Sequence, residues 1–191
     1  MLNRENFGMK IRILEHLPPI SNPRLEMAVS IALSTGLRRA EILHLRIENM
    51  LDPTGKVLKS VRVRRKRDRL QNIYLPDKLR EKITAFIGER KTGWLLTNGK
   101  HPEQRYPETS LTYDWHKAQT EAGIPRADQF RFHDLRHTAI TRFLRETGGN
   151  IRMAQIFGGH SSIQTTAIYT HPTEQEINKA LQDLEDKVEG N

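Results

Sequence analysis

The chain has 191 residues, of which 31 are Lys or Arg and 23 Asp or Glu, giving a formal charge of +8, and it contains no cysteine. That length holds one domain, or at most one and a half, and the missing thiols exclude a disulfide framework and any Cys-ligated zinc or iron–sulfur site. The cationic excess suits a polyanion such as nucleic acid, whose condensed counterions Lys and Arg displace, although charge alone does not establish that partner.

Residues 1–23 form a lead-in with little regular pattern, and P18-P19-I20-S21-N22-P23 reads as turn-rich. The apolar positions Leu25, Ala28, Val29, Ala32 and Leu33 then predict a helix over 24–34. Gly36 breaks it, and a second helix over 39–45 turns Ile42, Leu43 and Leu45 inward, so the corner presents Arg38. The turn D52-P53-T54-G55 precedes strand-like segments at 57–63 and 72–75, the second ended by Pro76. Together they predict a small antiparallel hairpin with a basic tip. A helix over 77–90 carries Leu79, Ile83, Phe86 and Ile87 on one face, and 94–99 reads as a short strand and turn. Helical pattern returns near 108–122, 134–147, 150–157 and 163–169, with Gly123, Gly148-Gly149 and Gly158-Gly159 as stops. A final segment, 174–188, aligns Ile177, Leu181, Leu184 and Val188. The predicted class is mainly α with a small antiparallel β-sheet (α+β). No apolar run approaches the roughly 18 residues that span a membrane, and the first seven residues lack a signal-peptide core. A soluble, cytoplasmic protein without a membrane partner is expected.

Four segments carry candidate chemistry. The first is T35-G36-L37-R38-R39-A40-E41, where Arg38 and Glu41 are spaced as an i, i+3 pair. The second, R62-V63-R64-R65-K66-R67-D68-R69, places six cations in eight positions, either a solvated hairpin tip or a groove-binding one. The third, H133-D134-L135-R136-H137, puts His133 and Arg136 one helical turn apart. It also imitates the H-E-x-x-H zinc motif, with His160 or His171 available as a third ligand. Against zinc, Asp134 reaches less far than a glutamate and Arg136 has no role. The fourth is G158-G159-H160-S161-S162, followed by T165-T166 and Y169-T170-H171. Alone, Tyr169 reads as a half-buried helix tyrosine.

In this order the four segments resemble the catalytic domain of the tyrosine recombinases, the phage-integrase family of site-specific DNA recombinases. The resemblance spans roughly residues 24–172. It implies that the chain cleaves and rejoins DNA through a 3′-phosphotyrosyl intermediate, without metal, ATP or other cofactor. Arg38, Lys66, His133, Arg136, His160 and Tyr169 are the implied catalytic residues, with Glu41 supporting them and Arg62, Arg64, Arg65, Arg67 and Arg69 holding DNA. Lys66 falls where the family's proton-donating lysine belongs, with arginines in place of the usual small turn residues. Phe157-Gly158 replaces the common Leu-Gly, a change expected to concern packing.

The implied partners are double-stranded DNA, a homo-tetramer assembled on it from free monomers, and accessory DNA-bending proteins. Residues 173–191 are expected to form a C-terminal helix that packs either on its own domain or on a neighbouring protomer. Family members usually carry an N-terminal DNA-clamping domain, and only about 20 residues precede the first helix here; a fragment of a longer integrase and a short natural form both remain open. Two other functions share the chemistry or the scaffold: a type IB topoisomerase-like strand transferase and a non-catalytic DNA-binding regulator.

Overall fold

The computed structural model describes residues 19–65, 69–160, 164–167 and 178. In chain order the elements are α1 (Pro23–Thr35), α2 (Arg39–Leu43), a 3-10 turn (Ile47–Asn49), β1 (Ser60–Arg64), β2 (Leu70–Tyr74), α3 (Asp77–Ile87), α4 (Glu108–Glu121), α5 (Phe132–Glu146), α6 (Ile151–Gly158) and α7 (Gln164–Ala167). The class is therefore mainly helical with one small antiparallel sheet. Two compact units divide the chain, Met1–Arg142 and Phe143–Asn191, with the boundary inside α5.

In the first unit α1 is well capped. The Asn22 side chain accepts the N–H groups of Arg24 and Leu25 at 3.0 and 3.4 Å, and Pro23 occupies the first turn, where no backbone donor is needed. Asn22 also donates to Asp114 at 2.8 Å, tying the start of α1 to α4, and Tyr106 donates to the same carboxylate. Helix α1 packs on α3 and α4, and α2 packs on both α1 and α4. Leu25, Ile31, Leu37, Ile42, Leu43, Ile83, Leu111, Trp115 and Phe130 are all but fully buried in the core between them. Burying a large apolar side chain contributes about 1.5–3 kcal/mol, so this helical cluster supplies the platform for the loops it carries.

β1 and β2 pair antiparallel from Ser60↔Tyr74 to Arg64↔Leu70. Val61, Val63 and Ile73 face the core, while Arg62, Arg64 and Tyr74 face solvent, the period-two pattern of a half-buried hairpin. The segment read as a strand near residue 94 forms only isolated bridges, Arg46↔Trp94 and Thr97↔Arg105. The helix predicted over 39–45 stops at Leu43, with Leu45 inward as expected.

In the second unit, α6 is capped by Asn150, whose side chain accepts the Met153 N–H at 3.0 Å, and ends at Gly159 in the left-handed region, φ 60°. Phe157 stacks on Phe143 with centroids 4.3 Å apart, a packing role for that departure from Leu-Gly. The segment expected to form the C-terminal helix lies outside the described residues, Asn178 apart. Among the described residues no helix is long and apolar enough to cross a membrane.

Candidate functional site

The corner between α1 and α2 is built residue by residue from T35-G36-L37-R38. Thr35 donates its hydroxyl to the Ile31 carbonyl at 2.6 Å and accepts the Leu37 N–H at 3.3 Å. Gly36 takes φ 63°, a conformation that a Cβ disfavours, and thereby turns the chain. Leu37, 1% exposed, anchors the corner in the core. Arg38 then emerges with its side chain 31% exposed. Glu41 reaches back to it twice: Oε2 accepts the Arg38 backbone N–H at 2.7 Å and Oε1 accepts from the Arg38 guanidinium at 2.9 Å.

The same carboxylate holds a residue from the hairpin. Arg65 donates to Glu41 Oε2 at 3.0 Å, with both side chains almost fully buried. Arg65, expected to lie along DNA, thus points into the protein because residue 65 continues the inward side of β1. Burial lowers its proton affinity and the Arg38 charge adds to that, while Glu41 opposes them. Arg62, Arg64 and Arg69 do face solvent. A groove of about 700 Å³ runs between hairpin and corner, lined by Arg38, Arg46, Arg62, Arg64 and Arg65 together with His44 and Trp94. Arg46 lies 4.7 Å over the Trp94 ring.

The H133-D134-L135-R136-H137 motif opens α5. Asp134 accepts the Arg131 N–H at 3.0 Å, reaching back over the first turn as Glu41 does for Arg38. Asp134 therefore caps the helix. Arg136, 3% exposed, donates to the Gly36 carbonyl, so the positive φ that turns the corner also aims an acceptor at this guanidinium. His133 reaches solvent at the start of α5, and its proton affinity is lowered by partial desolvation, then by Arg136, with Arg131 and Arg38 adding to it and Asp134 opposing. His137, set edge to face against His133 at 5.0 Å, is pushed down to about 4, chiefly by desolvation and next by His133.

In the second unit His160 is 7% exposed. Its backbone N–H donates to the Gln155 carbonyl at 3.0 Å, and Gln155 Nε2 donates to its carbonyl at 3.2 Å. The ring nitrogen Nδ1 lies 2.9 Å from the Thr166 hydroxyl, itself fully buried. Which of them donates depends on the tautomer.

The model of the phage integrase family matches residues 12–176. The chain belongs to the phage integrase family. It is 32% identical over 176 residues to a tyrosine recombinase of Pseudothermotoga lettingae, covering 86% of this chain and 56% of that protein. It is 28% identical over 173 residues to the tyrosine recombinase XerD of Staphylococcus aureus, covering 85% of this chain and 55% of that protein. The chain thus spans about half the length of the curated relatives it matches. The fold is similar to that of the site-specific recombinase XerH in a post-cleavage complex with palindromic difH substrate, with TM-score 0.70 at 22% identity over 96% of this chain and 52% of that one.

Of the site residues expected in this integrase-family chain, Arg38, Glu41, His133 and Arg136 are gathered in the first unit around the Thr35–Arg38 corner, joined by Arg65. His160 is held in the second unit by Gln155 and Thr166. Lys66, Arg67 and Tyr169 lie outside the described residues. Three contributors escaped the sequence reading: the Gly36 carbonyl, the cap formed by Asp134, and Thr166. Thr166 left a trace as the second threonine of T165-T166, and Asp134 as an acid three residues after Arg131 at a helix start; a backbone acceptor such as the Gly36 carbonyl leaves no side-chain signature.

Proposed function

We propose that this chain carries the catalytic domain of a site-specific tyrosine recombinase acting on double-stranded DNA. One observation carries the reading beyond family membership: Arg38 and Arg136, about a hundred residues apart in sequence, are both anchored at the same short corner, Arg136 on the Gly36 carbonyl and Arg38 two residues on. Two guanidiniums so fixed suit a clamp on one phosphate, each able to offer paired N–H donors to the charge that grows on the non-bridging oxygens.

In the proposed reaction the Tyr169 phenol oxygen attacks phosphorus, the P–O5′ bond breaks, and Lys66 protonates the departing 5′-oxygen. A phenol has an ordinary pKa near 10, so its proton must pass to a base as the attack proceeds; surrounding cations favour the phenolate. His133, whose proton affinity is lowered, is suited to act as a neutral acceptor or positioner. His160 adds a donor toward the phosphate. The product is a 3′-phosphotyrosyl link with a free 5′-hydroxyl. A 5′-hydroxyl from a second duplex then attacks the same phosphorus, releasing Tyr169, which takes back its proton. One phosphoester is exchanged for another at each step, so no ATP is consumed. Assembly as a tetramer on DNA belongs to the same proposal.

The test is covalent trapping. The chain is incubated in EDTA with a labelled random pool of nicked duplexes and run on a denaturing gel beside a Tyr169→Phe variant. An adduct seen in the wild type and lost in the variant is expected. No adduct, from the chain alone or after fusion to a DNA-clamping domain, would refute the catalytic reading.

A further inference from the structure

Residue 65 stands where the strand pattern calls for an apolar side chain. Val61 and Val63, on the same face of β1, are 3% and 5% exposed, and Arg65, next in that alternation, is 6% exposed. A buried guanidinium is costly unless a charge meets it, and here Glu41 Oε2 does so at 3.0 Å. Glu41 is already engaged, its Oε1 2.9 Å from the Arg38 guanidinium. Two guanidiniums therefore share one carboxylate, which leaves the trio with one net positive charge. Arg65 and Glu41 have side chains 3% and 7% exposed, whereas that of Arg38 is 31% exposed. The surplus charge is thus presented to solvent through Arg38. Were Arg65 neutral, Glu41 would cancel Arg38 across their 2.9 Å contact, and the corner would offer a phosphate a guanidinium with little net charge behind it.

We propose that Arg65 is a positioning residue for the strand-transfer reaction, offsetting the charge of Glu41 so that the corner meets the scissile phosphate with a net positive charge at Arg38. The inference rests on the recombinase reading. It differs from a purely structural role for the Arg65–Glu41 pair in one respect: what matters is the charge balance of the trio, not the pair itself.

That difference is testable by a second substitution that restores the balance. Arg65→Met keeps an apolar stem on the inward face of β1 but leaves Arg38 and Glu41 neutral together. Arg65→Met/Glu41→Gln returns the net charge to one, and glutamine can still accept the Arg38 N–H as part of the helix cap. Adduct formation is measured with the same nicked-duplex pool for wild type, single and double variants, with thermal unfolding recorded for each. Arg65→Met is expected to slow adduct formation about 10- to 100-fold, less than the roughly 10²–10³-fold typical of losing a direct oxyanion donor. The double variant is expected to recover most of that loss.

A single variant as active as wild type overturns the proposal, as does a double variant that is no faster than the single. Should Arg65→Met fail to unfold cooperatively, the double variant, which buries no unmatched charge, decides alone, and slow reaction there overturns the proposal. A wild type that forms no adduct defeats the recombinase reading and this inference with it; a wild-type adduct with no rescue defeats this inference only.

Discussion

Gly158 lies against the imidazole of His160: a Cβ at residue 158 would sit 3.1 Å from the ring Cε1 and 3.2 Å from Nε2. Its neighbour Gly159 serves a different need, taking φ 60° to end α6. One glycine of the pair makes space and the other makes the turn.

Gly158→Ala should therefore impair His160 while sparing the fold. The added methyl meets a ring that Thr166 already holds, on a residue whose backbone carbonyl Gln155 also engages, so the ring has to shift by some tenths of an ångström. Alanine at a helical position is otherwise favoured over glycine by up to about 1 kcal/mol. The expected result is adduct formation reduced roughly tenfold, the scale on which small misplacements of reacting groups cost rate, with an unchanged or slightly raised Tm. A lower Tm of several degrees would mean that the methyl disturbs packing rather than the histidine.

Thr166→Val should do similar harm by another route. The substitution nearly conserves shape, removes the hydroxyl 2.9 Å from Nδ1 and leaves a buried ring nitrogen without that partner, at a cost of about 1–3 kcal/mol. Thr166→Ser keeps the hydroxyl and should retain most activity. A serine variant as impaired as the valine variant would show that the hydroxyl alone does not hold the ring and that side-chain fit at residue 166 matters as well.

Gly36→Ala tests the corner that serves both arginines. With φ at 63°, alanine is strained there by about 1 kcal/mol or more, and relaxation of the backbone turns the carbonyl that receives Arg136. Chemical denaturation should show a loss of about 1–2 kcal/mol, and adduct formation should fall further than stability alone explains. Full activity in the variant would separate the Gly36 carbonyl from the function of Arg136.

Acid should weaken the fold through the histidines of α5. His137 is held at about 4 against an ordinary value of 6.5, so between those values the unfolded chain binds a proton that the folded chain refuses. Stability from this group is full above about pH 6.5 and is lost as pH falls toward 4, and the lowered His133 acts in the same sense. His137→Gln should flatten the fall of Tm between pH 6.5 and 4.5. A curve as steep as that of the wild type would locate the acid sensitivity elsewhere.

Helix positions were legible because their apolar spacing is local: Leu25, Ala28 and Ala32 mark α1, and Leu79, Ile83 and Ile87 mark α3, each buried as the pattern requires. Hairpin pairing followed from a β-branched segment at 57–63 and a strand-like one at 72–75 on either side of a basic run. The strand expected at residue 94 shrank to a bridge because its pairing with Arg46 depends on a distant segment that periodicity does not report.

The order of residues along the chain was enough to show which chemical groups are available and, through ordered motifs, the family to which the chain belongs. Spacing along one helix also determined that His133 and Arg136 share a face. Where those groups lie came from the folded chain: Arg65 turns inward on Glu41 instead of outward with Arg62 and Arg64, Asp134 caps a helix, and Arg136 rests on the Gly36 carbonyl. The reason is physical. Arg62, Arg64 and Arg65 are chemically alike until a strand's alternation buries Arg65, and a backbone carbonyl becomes an acceptor for a guanidinium a hundred residues away only when a left-handed turn points it there.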